Sequence, residues 1–138
     1  KTYEGPINVI ADYQRIYQVI VNLISNAIKY SDENTEIVVG FEITEKDVTI
    51  AIQDHGAGIS PEHIKRIFER FYRIDKSRSK ERGGTGLGLA IVKHIIEAHG
   101  SSVSVTSTVG KGSLFSFKLP VKKAPEPYVP ISEEEEED

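Results

Sequence analysis

Apolar side chains return every three or four positions from Ile16 to Tyr30, through Val19, Ile20, Leu23, Ile24, Ala27 and Ile28. That period predicts an amphipathic helix over residues 18–31, entered through Asp12 as a plausible N-cap, with a stripe facing a core. A second pattern is laid over the first. Asn22, Asn26 and Lys29 fall at i, i+4 and i+7, which stacks two carboxamides and an ammonium along one ridge. Asn competes with a helix for backbone hydrogen bonds, so two of them in mid-helix need another use. Solvated surface and a ligand site both satisfy that ridge taken alone.

The remaining pattern predicts shorter elements. Residues 7–11 form a β-prone run, and residues 35–44 and 48–53 alternate as two strands joined at residues 45–47. Ser60, Pro61 and Glu62 supply an N-cap, a proline at the first helical position and an early acid, predicting a second helix to about Arg70. Periodicity then fails, and Arg73, Lys76, Arg78, Lys80 and Arg82 predict a basic loop. A third helix follows the glycines at 83–88 and should be capped by Gly100, after which residues 102–108 and 113–119 alternate as a closing hairpin. About five strands and three helices predict an α+β fold, with residues 1–121 as the domain. Residues 122–138, with Pro125, Pro127, Pro130 and six terminal acids, are expected to be a disordered tail.

Composition removes several function classes. At 138 residues and 38% apolar, the chain fits one domain with a real core. It has no Cys, which excludes disulfides, thiolate metal sites and thiol nucleophiles. His55, His63, His94 and His99 show no H-E-x-x-H or related spacing and read as surface or boundary residues. No apolar run approaches the roughly 18 residues of a membrane span, and no signal peptide opens the chain, so no membrane contact is expected. The absence of Met leads us to expect an excised segment or a processed product. The net charge of −4 includes six acids at residues 133–138, so the remainder carries +2 and offers no broad basic surface to nucleic acid.

The glycine-bearing segments carry the candidate chemistry. The stretch around Gly110, Lys111 and Gly112 lacks the Walker A arrangement, and Leu89 stands where a G-x-G-x-x-G loop needs its last glycine. Gly84, Gly86 and Gly88 nevertheless precede a helix, where exposed backbone N–H groups could meet an anion at the positive end of the dipole. Asp54, followed by Gly56 and Gly58, is ordinary turn chemistry taken alone. A buried carboxylate there could also accept from an exocyclic amine such as that of adenine.

In this order, the pieces closely resemble the ATP-binding catalytic domain of bacterial sensor histidine kinases, within the superfamily that includes DNA gyrase, heat-shock chaperone and mismatch-repair ATPases. NLISNAIKYS is similar to the N box, DHGAGI to the first glycine box, FERFYR to the phenylalanine box and GGTGLGLAIV to the second glycine box. GKGSLFSFKLP resembles the closing hairpin, and the likeness covers about residues 8–120. It implies a Bergerat-type two-layer α/β sandwich, with a mixed, mostly antiparallel sheet covered on one face by the helices. It also implies ATP and Mg2+ as cofactors. Asn26 resembles the magnesium ligand, Asn22 its supporting residue, Lys29 a phosphate contact and Tyr30 the side chain packing on the nucleoside. Asp54 resembles the adenine acceptor, with Gly56 and Gly58 the turn beside the base. Arg73 resembles the γ-phosphate contact. Gly84, Thr85, Gly86, Leu87 and Gly88 resemble the phosphate loop, and the basic run before them the ATP lid. Ser113 stands where many relatives have Thr near the adenine.

The resemblance also implies a reaction. Water-activating relatives have a Glu general base four residues before the magnesium Asn, whereas here that position is Asn22, which cannot take a proton. The γ-phosphoryl group is therefore expected to pass to a histidine on a separate helical dimerisation domain, and onward to a response regulator receiver domain. None of the four His lies in the family's H-E-[LIF]-[RK]-[TS]-P type of setting. The domain is expected to be a cytoplasmic monomer in isolation, in a parent protein with or without a membrane anchor. The alternatives on the same fold are an ATP-gated clamp ATPase and an anti-sigma-type serine kinase.

Overall fold

The computed structural model describes residues 6–74 and 87–122. The basic loop expected before Gly83 falls mostly outside them, as does the tail beyond Lys122. The described elements run α1 (Tyr13–Tyr30), β1 (Val38–Ile43), β2 (Asp47–Gln53), α2 (Pro61–Ile64), α3 (Gly88–Ala98), β3 (Val103–Thr108) and β4 (Gly112–Pro120).

Local chemistry sets the ends of the two long helices. The Asp12 carboxylate accepts from the backbone N–H of Arg15 at 3.2 Å, satisfying one of the orphan donors of α1. α3 closes on Gly100 at a φ of 73°, with Ser101 N donating to Ile96 O and Gly100 N to Glu97 O. Those paired bonds define a Schellman cap, whose left-handed residue glycine adopts without a Cβ penalty.

The sheet has the order β1-β2-β4-β3, and all three pairings are antiparallel. In register, Val105, Phe115 and Ile52 make one rung, and Val103, Phe117 and Ile50 the next. Alternation sends these side chains to one face and Ser104, Ser116 and Ala51 to the other. On the apolar face lie α1 and α3, contributing Ile16, Val19, Leu23, Ala27, Val92, Ile95 and Ile96 to a single core. Fully burying side chains of this size stabilises by about 1.5–3 kcal/mol each, so this layer interface dominates the fold.

Two expectations need correction. The sheet holds four strands in the described residues, all antiparallel, instead of about five in a mixed arrangement. Residues 7–11 contribute only a bridge, Val9 with Val121, because the run reaches β4 at its last residues alone. The second helix is also shorter than expected, since α2 stops at Ile64. Ile67 N still donates four residues back, to His63 O, but Arg66 N, Glu69 N and Tyr72 N donate three residues back, in tight turns that do not continue an α-helical ladder. The turns let Ile67 bury, set Phe68 edge-on to Phe115, and leave Phe71 at a φ of 65°.

Candidate functional site

One rung beyond Val105, Phe115 and Ile52 the apolar face of the sheet becomes polar. The next positions along β3, β4 and the end of β2 are Ser107, Ser113 and Asp54, of which Ser113 and Asp54 are each 5% exposed. Asp54 N donates to Ser113 O at 2.9 Å, extending the β2–β4 ladder past its last paired residue. Asp54 Oδ1 accepts from Gly56 N at 2.9 Å and Ser113 N at 3.2 Å. Its second oxygen, Oδ2, accepts from no described residue. Asp54 is thus a buried acceptor, oriented by backbone donors and with one oxygen in reserve.

The glycines around it permit close backbone approach. A Cβ on Gly56 would lie 2.0 Å from Tyr30 O, and one on Gly58, where φ is +76°, would lie 2.2 Å from Thr108 O. These contacts join the Asp54 turn to the C-terminal end of α1 on one side and to the β3–β4 hairpin on the other. A bridge between Ser31 and Gly56 and a 2.7 Å bond from Gly110 N to Ala57 O complete the junction.

α1 therefore ends beside Asp54. Its ridge of Asn22, Asn26 and Lys29 is half-buried, flanking the core stripe, and Tyr30 is exposed at the helix end. The described residues offer the side chains of Asn22, Asn26 and Lys29 no hydrogen bond or ion pair. Neutral amide oxygens suit a hard cation whose charge is balanced by phosphates, and Mg2+ commonly takes only one or two protein ligands beside a nucleotide. A cage of three or more His, Asp or Glu is absent among the described residues. The donor set fits a nucleotide-borne magnesium ion rather than a protein-caged one.

The N-terminus of α3 faces the same region. Asp12 N donates to His99 Nε2 at 3.1 Å, so the end of α3 meets the beginning of α1, and the two helices pack along each other. At about 1.5 Å per residue, the eleven residues of α3 carry its first turn to about the level of Asn22, with Asn26 nearly one turn further along α1. Leu87 is the N-cap and Gly88 opens the helix, with no side-chain cap bond. Gly84, Thr85 and Gly86 lie outside the described residues.

Arg73 is half-buried, and among the described residues no hydrogen bond or ion pair joins it to α1 or to Asp54. Its segment is anchored by Tyr72, whose hydroxyl bonds His63 Nδ1 and whose ring lies 4.6 Å under the Arg66 guanidinium. Arg66 in turn bonds Glu69, and that hydrogen bond raises its pKa above the ordinary arginine value. Arg66, Glu69, Arg70, Phe71, Tyr72 and Arg73 line an open pocket of about 270 Å³. Sequence reasoning missed one participant, Ser107, although pairing the terminal hairpin would have set it opposite Ser113. His99 is half-buried at the far end of α1 from Asp54, where its bond to Asp12 spans 87 positions that no local pattern records.

Residues 11–123 match the family of histidine kinase-, DNA gyrase B- and HSP90-like ATPases, and the chain belongs to that family. Within it the chain is an ATP-binding catalytic domain of the sensor histidine kinase class. It is 42% identical over 117 residues to the sensor histidine kinase WalK of Bacillus subtilis, covering 83% of this chain and 19% of that protein. It is 46% identical over 109 residues to the sensor protein SrrB of Staphylococcus aureus, covering 79% of this chain and 19% of that protein. Full-length ShkA, solved in complex with AMPPNP, superposes with a TM-score of 0.73 at 32% identity, covering 86% of this chain and 24% of that one. The chain thus spans about a fifth of the curated relatives it matches. No described helix is long and apolar enough to cross a membrane.

Proposed function

We propose that this domain binds Mg-ATP between the end of α1, the Asp54 turn and the start of α3, and donates the γ-phosphoryl group to a histidine on a separate helical dimerisation domain. The observation that carries the reading is an α1 ridge of amides and an ammonium, without a carboxylate, ending beside a buried Asp with one free oxygen. Asp54 Oδ2 accepts from the exocyclic amine of the base, and Gly56 and Gly58 keep that edge open. Asn26 supplies the amide oxygen for magnesium, Asn22 supports it, and Tyr30 packs on the nucleoside. Lys29, Arg73 and the segment from Gly84 to Gly88 meet phosphate charge, and Ser113 sits beside the base. The metal, when bound, offsets charge on the phosphates. With Asn at position 22 no side chain of the ridge can deprotonate water, so the bond to ADP breaks in favour of an imidazole nitrogen supplied in trans, which gives up its proton. A receiver domain of a response regulator is the onward acceptor. The domain works in the cytoplasm as a monomer when isolated from its parent chain.

Incubation with labelled ATP tests the reading. The chain alone is expected to stay unlabelled, and an added histidine-bearing dimerisation domain to become labelled. Label on the isolated chain overturns it. Asn26→Ala is expected to weaken nucleotide binding in magnesium at least about tenfold and to abolish the difference magnesium makes; unchanged retention and donor competence would remove Asn26 from the site.

A further inference from the structure

Ser107 lies on β3, outside every residue assigned a nucleotide contact, yet its hydroxyl joins three parts of the pocket. It accepts from Ile59 N at 2.7 Å, donates to Gly112 O at 2.9 Å and lies 2.8 Å from Ser113 Oγ. A hydroxyl carries one proton and two lone pairs. The Gly112 carbonyl can only accept and the Ile59 N–H can only donate, so Ser107 has one lone pair left for Ser113. Ser113 must therefore be the donor in that contact, which leaves its hydroxyl with lone pairs alone for anything else. Ser113 is buried, and its N–H is already committed to Asp54 Oδ1.

We infer that Ser107 is a positioning residue that fixes the Ser113 hydroxyl as an acceptor and so sets the preference of the pocket for a 6-amino over a 6-oxo purine. The inference rests on the reading of Asp54 as the base acceptor. Asp54 and Ser113 then present acceptors side by side, matched to an amino group or to a water bridging from one. A carbonyl at that edge meets only lone pairs, and a buried unpaired acceptor is costly. Without Ser107 the Ser113 hydroxyl is released to rotate and donate, which relieves the carbonyl and erodes the discrimination. The bond to Ile59 N also ties the glycine turn at Gly58 to the hairpin, so one side chain holds both walls of the base site.

The test compares affinities of the 138-residue chain for ATP and ITP, each with magnesium, by titration calorimetry. In Ser107→Ala the ratio of the two affinities is expected to narrow about three- to tenfold, the scale of one hydrogen bond. Ser107→Thr, which keeps the hydroxyl, is expected to restore it. Ser113→Ala should narrow the ratio similarly, and adding Ser107→Ala to it should narrow it no further. If Ser107→Ala does not fold, Ser107→Cys, a weaker donor of similar volume, carries the same comparison. Equal weakening of both nucleotides, or a lowered melting temperature with the ratio intact, overturns the inference and leaves the nucleotide site standing. Failure of the unsubstituted chain to prefer ATP overturns the base assignment of Asp54, and this inference with it.

Discussion

A methyl group at residue 112 would have to occupy the space of the Asp54 carbonyl, since a Cβ built on Gly112 lies 2.1 Å from that oxygen at a φ of +123°. Neither strand can yield easily, because Asp54 and Ser113 are bonded to each other through both backbone and carboxylate. Gly100 offers the control, with φ of +73° and open space around its built Cβ. Gly112→Ala is expected to destabilise by about 3 kcal/mol or more, combining conformational strain with a backbone clash, and to impair nucleotide binding. Gly100→Ala should cost only the left-handed penalty of about 1–2 kcal/mol and leave binding unchanged. Urea melts and nucleotide titrations on the pair check both statements; equal costs would mean that the Asp54 junction is not rigid. Asp54 marks how far single residues could be read from sequence. Its acidity, its glycine neighbours and the Gly56 N–H that bonds it are local to the chain, but the second backbone donor, Ser113 N, comes from a hairpin some 60 positions away.

His99 couples elements in a way that shows what pattern can and cannot carry. Its Nδ1 faces the Ile95 carbonyl at 2.8 Å, which can only accept, so Nδ1 holds the hydrogen and Nε2 accepts from Asp12 N. One neutral imidazole thereby satisfies a carbonyl near the end of α3 and an N–H at the threshold of α1. His99→Ala removes both bonds, and a loss of about 1–2 kcal/mol is expected in thermal unfolding, with no change in nucleotide preference. α1 and the Gly100 cap were legible because a 3.6-residue period, an Asp and a Gly are local signals. The strand pairs of both hairpins were legible for a similar reason, since short turns fix their register. α2 was not, because the chain after Ile64 is shaped by Tyr72 folding back on His63 and Arg66 and by Phe68 reaching Phe115. The run at residues 7–11 has β character in sequence, but how much of it pairs depends on where β4 ends, which its own residues do not encode.

At the scale of the molecule, the two ends of the described chain close on each other. Ile10 N donates to Pro120 O, Val121 N to Lys46 O and Lys122 N to Asn8 O, all at 2.9–3.0 Å. These bonds fasten the lead into α1, the β1–β2 turn and the end of β4 into one seam. Among the described residues, every buried core side chain lies between Ile16 and Leu119. We therefore propose residues 6–122 as the cooperative unit and the Pro-rich acidic remainder as dispensable for folding. A chain ending at Lys122 is expected to melt within about 2 °C of the full one, because surface changes away from such features move stability little. Ending it at Leu119 removes all three bonds and, at about 1 kcal/mol each, should cost about 3 kcal/mol and lower the melting temperature by several degrees. Scanning calorimetry on the two truncations separates the seam from the tail. An equal loss in both would place stabilising contacts beyond Lys122 and move the boundary with them.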